Sequence, residues 1–186
     1  MRYTPQHKAE TRARLLQSAA KAAKRSGLAA ASVDSIAHDA GISGGGIYHH
    51  FPSKHELFAA AIAQDLERSL LTRLARSSDL TVDKLLRGLG QYLTAEHADN
   101  VEGGCPVPAL SVDLARADAS VKQNFELWMS ELHSAWTVVL GDPSLAWGVL
   151  SQSVGALVIA RIMDSDGARQ DVLSGNLSNL RDRLCQ

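Results

Sequence analysis

Residues 32–56 read SVDSIAHDAGISGGGIYHHFPSKHE, and the rest of the chain is understood outward from this stretch. Val33, Ile36, Ala37 and Ala40 recur at three- and four-residue steps, the spacing of one apolar helix face. Ser32 stands just before that face, where a hydroxyl accepts from the free N–H groups of a first helical turn. Gly41 follows it, where the chain must turn and a positive φ costs little. Ser43 is the next cap candidate and opens a second, short helix, with Ile47 and Phe51 directed back at the first. Ser53-Lys54-His55-Glu56 has the spacing of a capping box and starts a long third helix. Tyr48, His49 and His50 fall on the outer side of the second helix. Helix, tight turn and helix, with stacking and hydrogen-bonding groups facing out, is the arrangement that enters the DNA major groove.

The chemistry of those positions fits nucleic acid. Tyr48 offers a ring and a hydroxyl. His49 and His50 can donate to phosphate or to purine acceptors. Lys54, at a helix start, can meet a phosphate together with free backbone N–H groups. His50 has an equally good inward-packing reading. His38, His49, His50 and His55 have no acidic or thiol partner at ligand spacing, so no metal site and no cofactor is expected.

Taken together, Ser32-Val33, Ile36-Ala37, Ala40-Gly41-Ile42-Ser43, Gly45, Ile47-Tyr48-His49-His50-Phe51, Ser53-Lys54 and Leu57 resemble the DNA-binding signature of the TetR family of bacterial transcriptional regulators. With the preceding helix, the likeness covers about a third of the chain. It implies an all-α protein of two parts: a helix-turn-helix domain over residues 1–56 and an effector-binding and dimerisation domain over 57–186. It carries Ser43, Gly45, Tyr48, His49, His50 and Lys54 over to the DNA surface. It further implies a homodimer joined through the last two helices and a palindromic operator in double-stranded DNA. A regulator of this kind is a repressor released by a small-molecule or reactive effector, and it is not an enzyme. Two departures stand out. Ala23 occupies a position where the family often has an aromatic, and Gly44-Gly45-Gly46 replaces a mixture of polar and small residues. Three glycines lower helix propensity and remove base-reading side chains.

Composition supports this division. The chain has 186 residues, 45% of them hydrophobic, enough for a packed core. Its net charge is only −1, but the charge is unevenly placed. Residues 1–56 carry eight Lys or Arg against four Asp or Glu, a net of +4, and five of the seven histidines. Residues 57–186 carry eleven against sixteen, a net of −5. A basic end on an acidic body presents one face to phosphate. No apolar run approaching ~20 residues is evident, so no membrane span is expected. The first residues are polar, and Cys105 and Cys185 form no disulfide framework, which fits a cytoplasmic setting.

Along the chain, residues 1–7 read as a loose arm in which Arg2 and His7 are candidate phosphate contacts. The first helix is expected from about Lys8 to Ser26, ended by Gly27. The helix from Ser53 carries Leu57, Phe58, Ala61, Ile62, Leu66, Leu70 and Leu74 and is expected to run unbroken to about Ala75. Thr81 caps a helix expected to reach His97, and residues 98–104 form a loop. Helices follow over about 109–116, 120–140, 144–163 and 168–184. Ala146, Val149, Leu150, Ser153, Val154, Leu157, Val158 and Arg161 are the expected dimer contacts on the first of the last two helices, with Leu173, Leu177, Leu180 and Leu184 on the second.

Two features of the second part bear on an effector. Tyr92, Phe125, Trp128, Met129, His133 and Trp147 are large and concentrated there, as in a cavity for an apolar or aromatic compound, although helical spacing also makes several of them core. Cys105 lies in GGCPVPAL, which resembles a segment of one TetR branch in which a Gly-Cys pair opens a helix of the sensing domain. Close to a helix N-terminus its thiolate would be favoured and reactive. The alternative is a small buried residue at a tight turn. A rival from another class is a helical redox or ligand-transforming enzyme using Cys105 with His133.

Overall fold

The computed structural model describes residues 5–185, which are all-α: the chain is 82% helical and has no strands among the described residues. The helices are α1 (Pro5–Ala30), α2 (Val33–Asp39), a 3-10 helix (Gly44–His49), α3 (Lys54–Arg68), α4 (Leu70–Ala75), α5 (Val82–Tyr92) and α6 (Ala95–Asp99). They continue as α7 (Pro106–Arg116), α8 (Ala119–Leu140), α9 (Pro143–Ile162) and α10 (Asp166–Leu184).

Local chemistry sets most of the ends. Ser32 accepts from the Ser35 N–H at 3.4 Å and Ser53 from the Glu56 N–H at 3.1 Å, the forward half of its capping box. Thr81, Asp118 and Asp142 cap α5, α8 and α9 in the same way. Gly41 turns the chain after α2 at φ +74°, the left-handed region that favours glycine.

Several expectations need correction. The second helix of the helix-turn-helix is a six-residue 3-10 helix, and the Ser43 side chain makes no capping hydrogen bond. Three successive glycines weaken an α-helix, and the shorter 3-10 turn results. The helix from Ser53 is not continuous: Ser69 takes extended backbone (φ −62°, ψ 156°) and recaps the chain as α4. Thr94 likewise ends α5 early and caps α6 through the His97 N–H at 3.1 Å. α7 starts at Pro106, because proline is tolerated in a first turn where its missing N–H has no partner to lose. His7 lies inside α1, whereas Arg2 falls outside the described residues. Helix geometry resumes after Gly27, which breaks α1 at φ +79°.

A continuous core runs through the molecule. At the basic end α1 packs on α2, α3 and α7, burying Leu15, Leu16, Ala19 and Ala23 against Ile36, Ile47, Phe51, Leu57 and Phe58. In the body α9 lies against α8 and α10. Among the described residues, α9 is the one helix whose length and mean hydropathy (1.5) would suffice to cross a membrane, because Arg161 is its only charge. In the fold one side of it is core.

Three residues of α1 fasten the basic end to the body. The Lys24 ammonium lies 2.7 Å from the Asp65 carboxylate of α3 and donates to the Gly104 carbonyl at 2.8 Å. Arg25 pairs with Glu102 at 3.2 Å. The Leu28 N–H donates to the Asp113 carboxylate of α7 at 3.1 Å.

Candidate nucleic-acid interface

The 3-10 helix packs on α2 across the Gly41 turn, with Ile47 and Phe51 buried. What remains outside is Tyr48, 56% exposed, with His49 beside it and Ser43 and Gly45 exposed at the start of the turn. Nothing within 4 Å occupies the space where a Gly45 Cβ would stand, so its backbone is open to a partner. A concave surface of about 990 Å³ adjoins this edge, bounded on the α1 side by His7, Lys8, Thr11 and Arg14. Lys8 and Thr11 gave no sequence signal of their own, because only folding brings the start of α1 beside the Gly41 turn.

His50 and Lys54 are placed differently. His50 is half-buried, and its Nδ1 is buried without a hydrogen-bond partner. Burial pushes its pKa down, helped by the nearby positive charges of Lys8, His49 and Arg12. Lys54 donates to the Ala29 carbonyl at 3.1 Å and lies 5.6 Å from the centre of the Phe58 ring. In this conformation it holds α3 to the end of α1. Arg14 plays a similar part, donating to the Ala40 carbonyl at 3.1 Å, and Arg12 stacks over Phe51 at 4.6 Å.

The seven effector candidates do not share one cavity. Tyr92 and Cys105 are buried near His97, whose ring meets Tyr92 edge-on at 4.6 Å. Phe125 and Trp128 face a cleft of about 350 Å³ between α3 and α8. Met129 is half-buried against the core. His133 stacks on Trp147 at 4.3 Å at the start of α9 and reaches the Pro143 carbonyl. Helical spacing had placed several of these side chains on one stripe, and that stripe is core.

Cys105 occupies the N-cap position of α7, but it is buried, and burial pushes its thiol pKa up. Desolvation outweighs the Val107 N–H at the helix start, which favours the small buried residue of the two readings of Cys105. Cys105 and His133, the pair the enzyme reading required, sit in different surroundings: one beside Tyr92, the other against Trp147.

The sequence profile described as "Bacterial regulatory proteins, tetR family" matches residues 15–61, which contain α2, the Gly41 turn and the 3-10 helix. Over 60 residues the chain is 43% identical to the HTH-type transcriptional regulator UidR of Escherichia coli strain K12, a match covering 32% of this chain and 31% of UidR. The chain therefore matches less than a third of the length of that relative. Whole-chain likeness is found in structures. A TetR transcriptional regulator from Chloroflexus aurantiacus J-10-fl superposes with a TM-score of 0.82 at 23% identity, covering 97% of both chains. E. coli NemR, in a reduced form, superposes with a TM-score of 0.76 at 18% identity, covering 92% of this chain and 96% of NemR. The likeness to TetR-family regulators is thus one of sequence over the N-terminal part of the chain and one of fold over nearly its whole length.

Proposed function

We propose that the chain is a DNA-binding transcriptional regulator: a dimeric repressor of a palindromic operator, released when a small molecule binds within residues 57–186. The observation that carries this reading is the reading edge itself. Tyr48 and His49 project from a short element whose backbone is open at Gly45, beside a concave surface bordered by basic α1 residues. Ser43, Gly45, Tyr48 and His49 are the groups for base edges and nearby phosphates, with Lys8 and His50 flanking them. Lys54 joins them by exchanging the Ala29 carbonyl for a phosphate.

Dimerisation through α9 and α10 is supported by what those helices leave uncovered. Ala146, Val149, Leu150, Ser153 and Leu157, expected at the interface, are buried within the single chain. The outward residues are instead Trp147, Ile159 (46% exposed) and Ile162 (72% exposed), with Gly155 open beside them. A second copy covers that face, and a two-fold axis sets two reading helices ~34–36 Å apart, in successive major grooves. Release follows if the effector favours a dimer whose reading heads are wrongly spaced. The ties of Lys24, Arg25 and Leu28 to the body are the contacts through which such a change reaches α1.

Fluorescence anisotropy on DNA from upstream of the protein's own gene, with competitor and across a salt series, tests the reading. Competitor-resistant binding of two protomers per site is expected. Weak binding that is indifferent to sequence and collapses with salt would contradict it.

A further inference from the structure

The break at Ser69 brings two guanidinium groups onto one wall of a polar cleft. The cleft measures about 480 Å³ and lies between the α3–α4 junction and the α5–α6 region with the loop that follows it. Along an unbroken helix Arg68 and Arg73 would point about 140° apart, five steps of about 100° each. The extended backbone at Ser69 removes that constraint, and both side chains line the cleft. Arg73 is steadied by donating to the Arg68 carbonyl at 3.2 Å. Among the described residues, neither guanidinium is paired with a carboxylate.

The other charges of the cleft are accounted for. Asp65 is held against Lys24. His97 is neutral by geometry: its Nε2 accepts the Cys105 N–H at 3.0 Å, so its Nδ1 carries the proton, facing the Tyr92 carbonyl at 2.7 Å. Glu96 is the one unpaired carboxylate on the lining, which leaves a net charge of +1. Gln91, Thr94 and Asn100 supply neutral polar groups on the facing wall.

We infer that this cleft binds a small hydroxylated oxyanion, with Arg68 and Arg73 taking a phosphate or carboxylate and the facing polar groups taking hydroxyls. Such a ligand differs from the apolar effector expected from the aromatic content. The site lies against Gly104, whose carbonyl is tied to Lys24 of α1, so an occupant is within reach of the link to the reading head. That regulatory consequence rests on the proposed function, whereas the binding does not.

Isothermal titration of the full chain with glucose 6-phosphate, inorganic phosphate and glucose tests the site without DNA. Glucose 6-phosphate should bind saturably, one per chain, more tightly than phosphate, and glucose alone should not bind. Replacing both arginines (R68Q/R73Q) should weaken glucose 6-phosphate by about tenfold or more, R68K/R73K should retain most of the affinity, and Arg87→Gln, at an exposed arginine outside the cleft, should change nothing. Circular dichroism confirms that each variant is folded. No saturable binding of either phosphate compound, or equal binding in R68Q/R73Q, would overturn the site. Phosphate binding as tightly as glucose 6-phosphate would overturn the role of the hydroxyl-binding wall.

Discussion

The indole N–H of Trp128 donates to the hydroxyl of Thr72 at 2.8 Å, joining positions 56 residues apart. Thr72 in turn donates to the Leu66 carbonyl at 2.5 Å, which also accepts the Ser69 N–H at 3.1 Å where α3 stops, and its own N–H is capped by Ser69 at 3.2 Å. One buried hydroxyl thus satisfies both the helix break and a tryptophan of α8. Thr72→Val keeps the shape but orphans the indole N–H and removes one of the two donors to the Leu66 carbonyl. It should cost about 2 kcal/mol in urea-denaturation stability. A loss within experimental error would mean the break is held by packing alone.

Lys24 is buried, and its ion pair with Asp65 is well shielded on the lysine side. Lys24→Met leaves the Asp65 carboxylate without compensation and the Gly104 carbonyl without its donor. A loss of about 3 kcal/mol is expected, with a large part recovered in the K24M/D65N double variant. Strictly additive effects would show that the two groups do not interact.

Glycines of similar appearance differ in what they permit. A Cβ at Gly104 would stand 2.8 Å from the Asn100 carbonyl oxygen and 2.7 Å from the His97 ring, so Gly104→Ala should destabilise by about 1–3 kcal/mol. Gly45 has open space and no positive φ, so Gly45→Ala should leave stability unchanged or raise it by up to about 1 kcal/mol. Its effect should fall on DNA affinity, which anisotropy measures alongside the melting curves.

How far each of these features was legible in the sequence follows from its range. Ser32, Gly41 and Ser53 act on backbone groups three residues away or less, and their roles were readable directly. The break at Ser69 was not, because Leu66, Leu70 and Leu74 continue the helical stripe across it while the group that holds the break, Trp128, comes from another helix. The 3-10 form of the reading helix was foreshadowed by Gly44-Gly45-Gly46 only as a loss of helix propensity. The polar cleft was hidden for the same reason as the break that shapes it. Aromatic content in the body pointed to an apolar cavity, yet Tyr92, Trp128 and Trp136 fill core.

His97 gives the fold a defined acid sensitivity. Burial, with Arg161 and Lys24 nearby, holds its pKa below the ordinary 6.5. The unfolded chain therefore takes up a proton first as pH falls. Stability should be flat above about pH 7 and decline as pH drops below 6.5, levelling once the folded state also protonates. His97→Gln should flatten that decline in melting temperature. An unchanged slope would assign the sensitivity elsewhere, with half-buried His50 the next group to replace.

The central claim is that the edge formed by Ser43, Gly45, Tyr48 and His49 reads DNA, and Tyr48→Ala tests it most directly. Tyr48 is exposed, so its replacement should leave the melting temperature unchanged. The measurement is operator affinity by anisotropy at fixed salt, wild type against variant. A loss of about tenfold or more with an unchanged melting curve is the predicted result. Undiminished affinity in a folded Tyr48→Ala protein would contradict the assignment of this face to DNA.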